Sequence, residues 1–206
     1  MISVKHNFLF VHVPKTGGNS IQVVLKEYSN DEFITTPRQD GFHRFGVTNR
    51  TYGTEKHSPL SRYESALDDA TFCGMYKFSV IRNPWDRVVS TYFSSHRKNL
   101  EWDRARFVSL VRKIGTLRYY ICIRRDRGDS HKGALDKDID CLVRFEHLES
   151  DFRKVCRRLD IPEPESFPVR NKSERDHYST YYDRELREMV RAKFSDEIIW
   201  GGYEFD

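Results

Sequence analysis

The chain reads FLFVHVPKTGGNS over residues 8–20 and KFSVIRNPWDRVVS over residues 77–90. In each stretch, a short run of large apolar residues is followed by a turn that contains Pro or Gly, and then by a segment with helical spacing. Short apolar runs that are bounded by turn residues are typical of buried strands. Each stretch therefore predicts a strand, a turn and a helix, the repeating unit of a parallel sheet.

The same alternation of strand and helix continues along the chain. Short strands are predicted at 31–37 and 141–145, and the polar, glycine-containing residues 38–59 predict a long surface loop. Apolar residues at helical spacing predict helices around Ile21–Tyr28, Leu60–Ala70, Val88–Phe93, Phe107–Ile114, Leu148–Leu159 and Leu186–Phe194. The predicted fold is an α/β sandwich of three layers, in which helices flank a central, mainly parallel sheet.

Length and charge limit the class of protein. The chain has 206 residues, and 35 Lys and Arg against 31 Asp and Glu give a net charge of +4. No stretch approaches the roughly 18 consecutive apolar residues of a membrane helix, and the first residues lack the cleavage pattern of a signal peptide. We therefore expect a single cytoplasmic domain over residues 1–206 that is not stably inserted in a membrane. No oligomeric state is predicted.

The spacing of cysteines and charges argues against metal and nucleic-acid binding. Cys73, Cys122, Cys141 and Cys156 are far apart and form no C-x-x-C pair, so neither a zinc site nor a disulfide framework is predicted. Basic residues are interleaved with acidic ones, and we find no motif for recognising nucleic acid. The basic run within 118–132 suits an acidic glycan, but its interleaved acidic residues favour a solvated loop.

The first turn has the composition of an anion-binding loop. Glycines let backbone N–H groups approach a phosphate closely, and the N-terminus of the following helix adds positive potential. The loop is not a Walker A motif, because Lys15 precedes both glycines. A turn with an incidental lysine is the alternative. The residues predicted to bind the anion are Pro14, Lys15, Thr16, Gly17, Gly18, Asn19 and Ser20.

The second turn supplies a second candidate anion site. Arg82 follows a predicted strand directly, at the edge where ligands bind in parallel sheets. Ser90 lies two helical turns further on, and together the two residues are predicted to hold a phosphate. The alternative is that Ser90 is a small packing residue and that Asp86 and Arg87 are surface charges. For Arg87, that alternative or an internal salt bridge is preferred.

Together the two motifs resemble those of sulfotransferases that use 3′-phosphoadenosine-5′-phosphosulfate (PAPS). The first is similar to their 5′-phosphosulfate loop, often PKTGGTS, and the second to their 3′-phosphate motif, R-N-P-x-x-R-x-x-S. The form R-N-P-W-D-R-V-V-S-x-Y most resembles the branch with bacterial and Golgi carbohydrate sulfotransferases. Weaker similarities lie at Val143–Leu148, Asn171–Arg175 and Gly202–Phe205. The resemblance implies a P-loop-NTPase-like fold.

This resemblance also implies a reaction. An acceptor hydroxyl, expected on a saccharide or glycoconjugate, attacks sulfur in line, and adenosine 3′,5′-bisphosphate leaves without help from a metal. Lys15 is expected to stabilise the charge on the leaving oxygen. Lys172 and Arg175 lie in a segment that resembles the loop closing over the nucleotide, and they are candidates to bind the 3′-phosphate. A solvated charge cluster is an equal alternative. Tyr178, with Trp85 and Tyr181, is a candidate neighbour of adenine, since aromatic faces stack on bases.

A general base is required to accept the proton of the acceptor. His57 is the first candidate, because it ends the polar loop in a segment that resembles the family's H-x-P. An exposed loop histidine is its alternative. His12, next to the loop, is a second candidate, although a packed core histidine is preferred there. Glu55 is the third candidate, because several sulfotransferases use a glutamate, and His43 is the fourth.

Two other functions compete with sulfuryl transfer. A P-loop kinase of small molecules requires a Walker lysine and a group that holds a metal, and the position of Lys15 argues against it. A catalytically inactive module that binds nucleotides or polyanions is compatible with the mild positive charge.

Overall fold

The computed structural model describes residues 1–37, 44–94, 101–123, 138–167 and 175–206. The strands are β1 (Ile2–Ser3), β2 (Phe8–Val11), β3 (Glu32–Ile34), β4 (Gly46–Asn49), β5 (Thr54–Glu55), β6 (Tyr76–Ile81) and β7 (Cys141–Arg144). The helices are α1 (Gly18–Leu25), α2 (Leu60–Ala66), α3 (Asp69–Gly74), α4 (Pro84–Tyr92), α5 (Arg104–Lys113), α6 (Leu117–Ile121), α7 (Leu148–Arg158), α8 (Arg184–Lys193) and α9 (Ser195–Gly201).

The central sheet has the strand order β1-β2-β6-β7. The strands β2, β6 and β7 are parallel, and β1 pairs antiparallel with β2 at the edge. Phe10 pairs with Phe78, and Phe78 pairs with Cys141, so the ends of the three parallel strands lie side by side. This arrangement confirms the predicted mixed α/β fold with a mainly parallel central sheet.

Helices cover both faces of the sheet because successive strand residues point to opposite sides. Phe8 and Phe10 face a core that includes residues of α1 and α7, whereas Leu9 and Val11 face residues of α2 and α6. A third core joins α4, α5 and α8, and it contains Trp85. None of the helices in the described part of the chain has the length and apolarity that crossing a bilayer requires.

Some predicted elements differ from the structure. The prediction of a loop over 38–59 is wrong where β4 and β5 form, since they build a small antiparallel sheet with β3. The ring of Phe33 packs 5.0 Å from that of Phe45 and gives this sheet an apolar contact. The helix predicted around Leu60–Ala70 is two helices, because Asp68 starts a new one by accepting a hydrogen bond from the Thr71 N–H.

A buried ion pair joins α4 to α9. Arg87 and Glu197 are 3% and 2% exposed, and the Arg87 Nη2 lies 3.6 Å from the Glu197 Oε1. Arg87 also donates to the carbonyl of Gly115, and Glu197 accepts from the N–H of Leu117. Burial raises the pKa of Glu197 and lowers that of Arg87, and the pair opposes both effects. Arg87 therefore forms the internal salt bridge preferred in the sequence analysis.

Removing one member of this pair tests its contribution to folding. Arg87→Met leaves the Glu197 carboxylate buried without its cation, so we expect the free energy of unfolding to fall by about 3–5 kcal/mol. Urea denaturation at neutral pH measures the change. The double variant Arg87→Met/Glu197→Leu removes both charges and should recover most of that loss. If the single and double variants are equally unstable, the ion pair is not the cause.

Candidate active site

The loop after β2 carries the first motif and leads into α1. Gly17 is the residue before α1, with φ 80°, and Lys15 has φ 67°, which is uncommon for a residue with a side chain. Thr16 Oγ1 donates to the Val13 carbonyl at 2.8 Å, so this hydroxyl stabilises the loop itself. The N-terminal N–H groups of a helix lack partners within the helix, and this end of α1 can therefore bind an anion.

Packing requires glycine at both loop positions. A Cβ on Gly18 would lie 2.1 Å from the Cδ2 of His12, and one on Gly17 would lie 2.8 Å from a methyl of Leu148. The imidazole of His12 thus packs directly against the start of α1. Gly18 is needed for this contact between strand and helix, in addition to any contact with a ligand.

The second motif begins where β6 ends. Asn83 caps α4, since its Oδ1 accepts hydrogen bonds from the N–H groups of Trp85 and Asp86 at 3.0 and 3.3 Å. Pro84 then starts the helix with a fixed φ and no N–H to satisfy. This local order holds Arg82 at the carboxyl end of β6, next to the corresponding end of β2.

Arg82 brings the two motifs together. Its Nη1 donates to the Lys15 carbonyl at 2.8 Å and to the Ser90 Oγ at 3.3 Å. Its guanidinium lies 3.8 Å from the ring centre of Phe145, which follows β7. Arg82 and Ser90 are 9% and 8% exposed. The residues predicted for two phosphate sites therefore meet at one edge of the sheet, and their binding roles stay predictions.

Lys15 has a partner that the sequence analysis missed. Its Nζ donates to the Oγ of Ser94 at 2.8 Å. Ser94 follows α4, one helical turn beyond Ser90, and it is 8% exposed. A second serine four residues after Ser90 was a usable signal, because that spacing places it one turn further along, just past the end of α4.

Arg175 reaches the same place from a distant part of the chain. It forms an ion pair with the Oδ1 of Asp86, while the Oδ2 of Asp86 accepts from Arg82 Nε at 2.8 Å. Burial by itself would raise the pKa of Asp86, but the two arginines hold it below its ordinary value. Asp86 is therefore no simple surface charge.

His57 lies beside the loop and contacts His12. Its Nδ1 is 2.9 Å from the His12 carbonyl, and the two rings lie 4.5 Å apart. A carbonyl only accepts, so Nδ1 carries the proton and Nε2 keeps its lone pair. His57 keeps a solvent-exposed surface, yet desolvation by the surrounding protein lowers its pKa. The hydrogen bond to His12 opposes this shift, and Lys56 and Lys15 add to it.

His12 is buried, which agrees with the packed core histidine preferred from the sequence. It is 4% exposed, and burial lowers its pKa well below the ordinary value, with His57 and Lys56 acting in the same direction. Among the described residues, its Nδ1 has no hydrogen-bond partner of normal geometry, although the nearby Gln22 side chain raises the pKa slightly. A buried neutral imidazole of this kind has no direct path to an acceptor.

The remaining predicted residues lie in different surroundings. Glu55 is exposed at the end of β5. Tyr178 is 5% exposed, and its hydroxyl accepts hydrogen bonds from Asn83 Nδ2 and from the Asp206 N–H at 3.3 and 3.2 Å. Trp85 is buried in the third core. Lys172 and His43 lie outside the described residues.

Tyr203, near the end of the described chain, contacts both Glu146 and Gly201. Glu146 accepts from the Asn83 N–H at 2.8 Å and from the Tyr203 hydroxyl at 2.9 Å. The ring of Tyr203 lies against the Cα of Gly201, where a Cβ would come within 2.1 Å of it.

Within the described part of the chain, no group of three or more His, Cys, Asp or Glu side chains is arranged to hold a metal ion.

Comparison with known proteins identifies the family of the chain. The model of a family described as "Sulfotransferase family" matches residues 1–129, which include both motifs and all of α4. No curated protein and no solved structure matched the chain. Since the match covers more than half of the sequence, this chain belongs to the sulfotransferase family, whose members are transferases of sulfuryl groups.

Proposed function

We propose that this protein is a PAPS-dependent sulfotransferase that transfers a sulfuryl group to an acceptor hydroxyl on a carbohydrate. The observation that carries the proposal is the hydrogen bond of 2.8 Å from Arg82 to the Lys15 carbonyl. Through it the two motifs that resemble the 5′-phosphosulfate and 3′-phosphate sites adjoin one another. PAPS is a ligand with both anionic groups on one nucleoside.

The donor set fits such a ligand. Lys15 and the N-terminus of α1 would hold the 5′-phosphosulfate with Gly17, Gly18 and Asn19, and Arg82, Ser90 and Arg175 would hold the 3′-phosphate. Lys172 remains a proposed contact. PAPS supplies a sulfuryl group that is activated by its anhydride bond to phosphate. Neither this set of donors nor the chemistry requires a metal.

Lys15 is the proposed electrostatic catalyst. Its ammonium group, held at 2.8 Å by Ser94, stabilises the negative charge that develops on the leaving phosphate oxygen. The acceptor oxygen forms a bond to sulfur while the bond from sulfur to that phosphate oxygen breaks. A cation that is already in position stabilises the transition state more than the bound substrate, because the charge on the leaving group is greatest in the transition state.

His57 is the proposed general base. Its Nε2 keeps a lone pair because Nδ1 donates to the His12 carbonyl, and its lowered pKa leaves it neutral at pH 7. The acceptor proton therefore moves to Nε2 as the acceptor oxygen bonds to sulfur. The solvent exposure of His57 supports access to an acceptor, whereas burial of His12 disfavours it as the base. Glu55 stays the reserve candidate.

The carbohydrate acceptor is the most specific part of the proposal. It is supported by the resemblance of residues 82–92 to the branch that includes carbohydrate sulfotransferases. A panel of saccharide and phenolic acceptors with labelled PAPS tests it, and transfer to phenols alone would contradict it.

Ligand-dependent thermal unfolding tests the hypothesis that the protein has two adjacent phosphate sites. Adenosine 3′,5′-bisphosphate at about 100 times its dissociation constant stabilises a protein by about 2.7 kcal/mol. For a chain of this length, we expect the Tm to rise by roughly 5–10 °C. The 5′-monophosphate should give a smaller rise at equal concentration. A larger rise with ATP and magnesium would favour a small-molecule kinase, and binding without transfer to any acceptor would favour an inactive module.

Removal of the Lys15 ammonium group should abolish most of the turnover. Lys15→Ala loses the charge that stabilises the leaving group, and loss of one such group typically costs about 3–4 kcal/mol, or roughly 10²–10³ in kcat. The matched control is Lys5→Ala, an exposed lysine before the opposite end of β2. Rates with labelled PAPS and unfolding curves measure both effects. Near-normal activity of a folded Lys15→Ala variant would contradict the assignment.

The pH profile of kcat/KM tests the general base. A base works only when it is deprotonated, and His57 has a lowered pKa, so activity should fall only below about pH 6.5. Lys56→Gln should move that acidic limb to higher pH, because Lys56 lowers the pKa of His57.

His57→Gln completes the pH experiment. We expect it to lower kcat by about 10²–10⁴ and to remove the acidic limb. An unchanged limb in this variant, or a limb midpoint above pH 6.5 in the wild type, would show that another group is the base.

A further inference from the structure

Asp86 joins the two arginines that face the second anion site. Its Oδ2 accepts from Arg82, with 2.8 Å to Nε and 2.6 Å to Nη2, and its Oδ1 pairs with Arg175. The side chains of Arg82 and Arg175 are 9% and 10% exposed, and that of Asp86 is 20% exposed. One largely buried carboxylate therefore holds cations from positions 82 and 175.

Two adjacent guanidinium groups repel one another without such a carboxylate. Arg175 lowers the pKa of Arg82, as a nearby like charge does, while Asp86 raises it. Burial is the largest cause of the lowered pKa of Arg82, so the site holds this cation against a cost in solvation. Asp86 offsets both effects, and it allows the two arginines to lie together.

Asp86 also fixes how the guanidinium of Arg82 is oriented. It takes the edge formed by Nε and Nη2, and this leaves Nη1 directed at the Lys15 carbonyl and the Ser90 hydroxyl. A planar guanidinium held along one edge has its other donors fixed in direction. The orientation set by Asp86 is thereby passed to the backbone of Lys15.

We propose that Asp86 is a positioning residue that assembles Arg82 and Arg175 into one site for a phosphate dianion and, through Arg82, sets the backbone of Lys15. This inference rests on the proposed function, since it takes the 3′-phosphate as the dianion. It predicts that neutralising Asp86 weakens phosphate binding. Coulomb's law alone predicts the opposite, because Asp86 is an anion beside the phosphate site.

The test is the affinity of Asp86→Asn for two nucleotides, measured by titration calorimetry. We expect adenosine 3′,5′-bisphosphate to bind about tenfold or more weakly than to the wild type, the size typical of a lost charge-assisted hydrogen bond. 5′-AMP lacks the 3′-phosphate and is exposed only to the indirect effect on the Lys15 backbone, so its affinity should fall by less than about threefold. Preference for the 3′-phosphate is a readout that general destabilisation does not move selectively.

Matched variants separate positioning from stability. Asp196→Asn removes another acidic residue from the first turn of a helix, where it pairs with Arg118, and it should leave both affinities unchanged. Asp86→Glu, which keeps the carboxylate, should restore part of the preference. If Asp86→Asn does not fold, Asp86→Glu carries the test alone, because it keeps the charge but displaces the carboxylate by one methylene. It should then bind the bisphosphate more weakly than the wild type does, and an unchanged preference would overturn the positioning role.

The outcomes distinguish the two hypotheses. Equal or tighter binding of the bisphosphate by folded Asp86→Asn would overturn the positioning role while leaving the proposed function in place. Lack of a preference for the bisphosphate over 5′-AMP in the wild type would overturn the proposed function itself.

Discussion

The guanidinium of Arg82 is the group around which the site is organised. A buried cation is stable only when its donors are paired, and Arg82 is paired with Asp86, the Lys15 carbonyl and Ser90. The ring of Phe145 covers its face. These partners come from α4, from the loop after β2 and from the end of β7, so pairing one charge fixes three parts of the fold relative to each other.

The same requirement accounts for the unusual loop conformation. Lys15 presents its carbonyl to Arg82 while its backbone has φ 67°, a region that costs free energy for a residue with a Cβ. The contact of His12 with Gly18 holds the other end of the loop against α1. Contacts at both ends thus determine a strained backbone that the loop sequence alone would not favour.

The sequence pattern predicts the parts of this site that form from residues close together in the chain. Strand, turn and helix around Lys15 and Arg82 follow from apolar runs, glycines and a proline, whose preferences act over a few residues. The pairing of Asp86 with Arg175 and the bond from Lys15 to Ser94 join residues 89 and 79 positions apart. Such contacts depend on how elements pack, and neither spacing nor composition contains that information.

Phosphate binding and base catalysis favour the same sign of charge at this site. The cations that attract an anionic cofactor also disfavour protonation of a nearby imidazole, and Lys15 and Lys56 both lower the pKa of His57. A positive site therefore keeps a histidine neutral, which is the state that a general base requires. Bound phosphate would offset part of that field, but burial, the largest cause of the lowered pKa, is independent of charge. The hydrogen bond to the His12 carbonyl keeps Nε2 as the basic atom of His57.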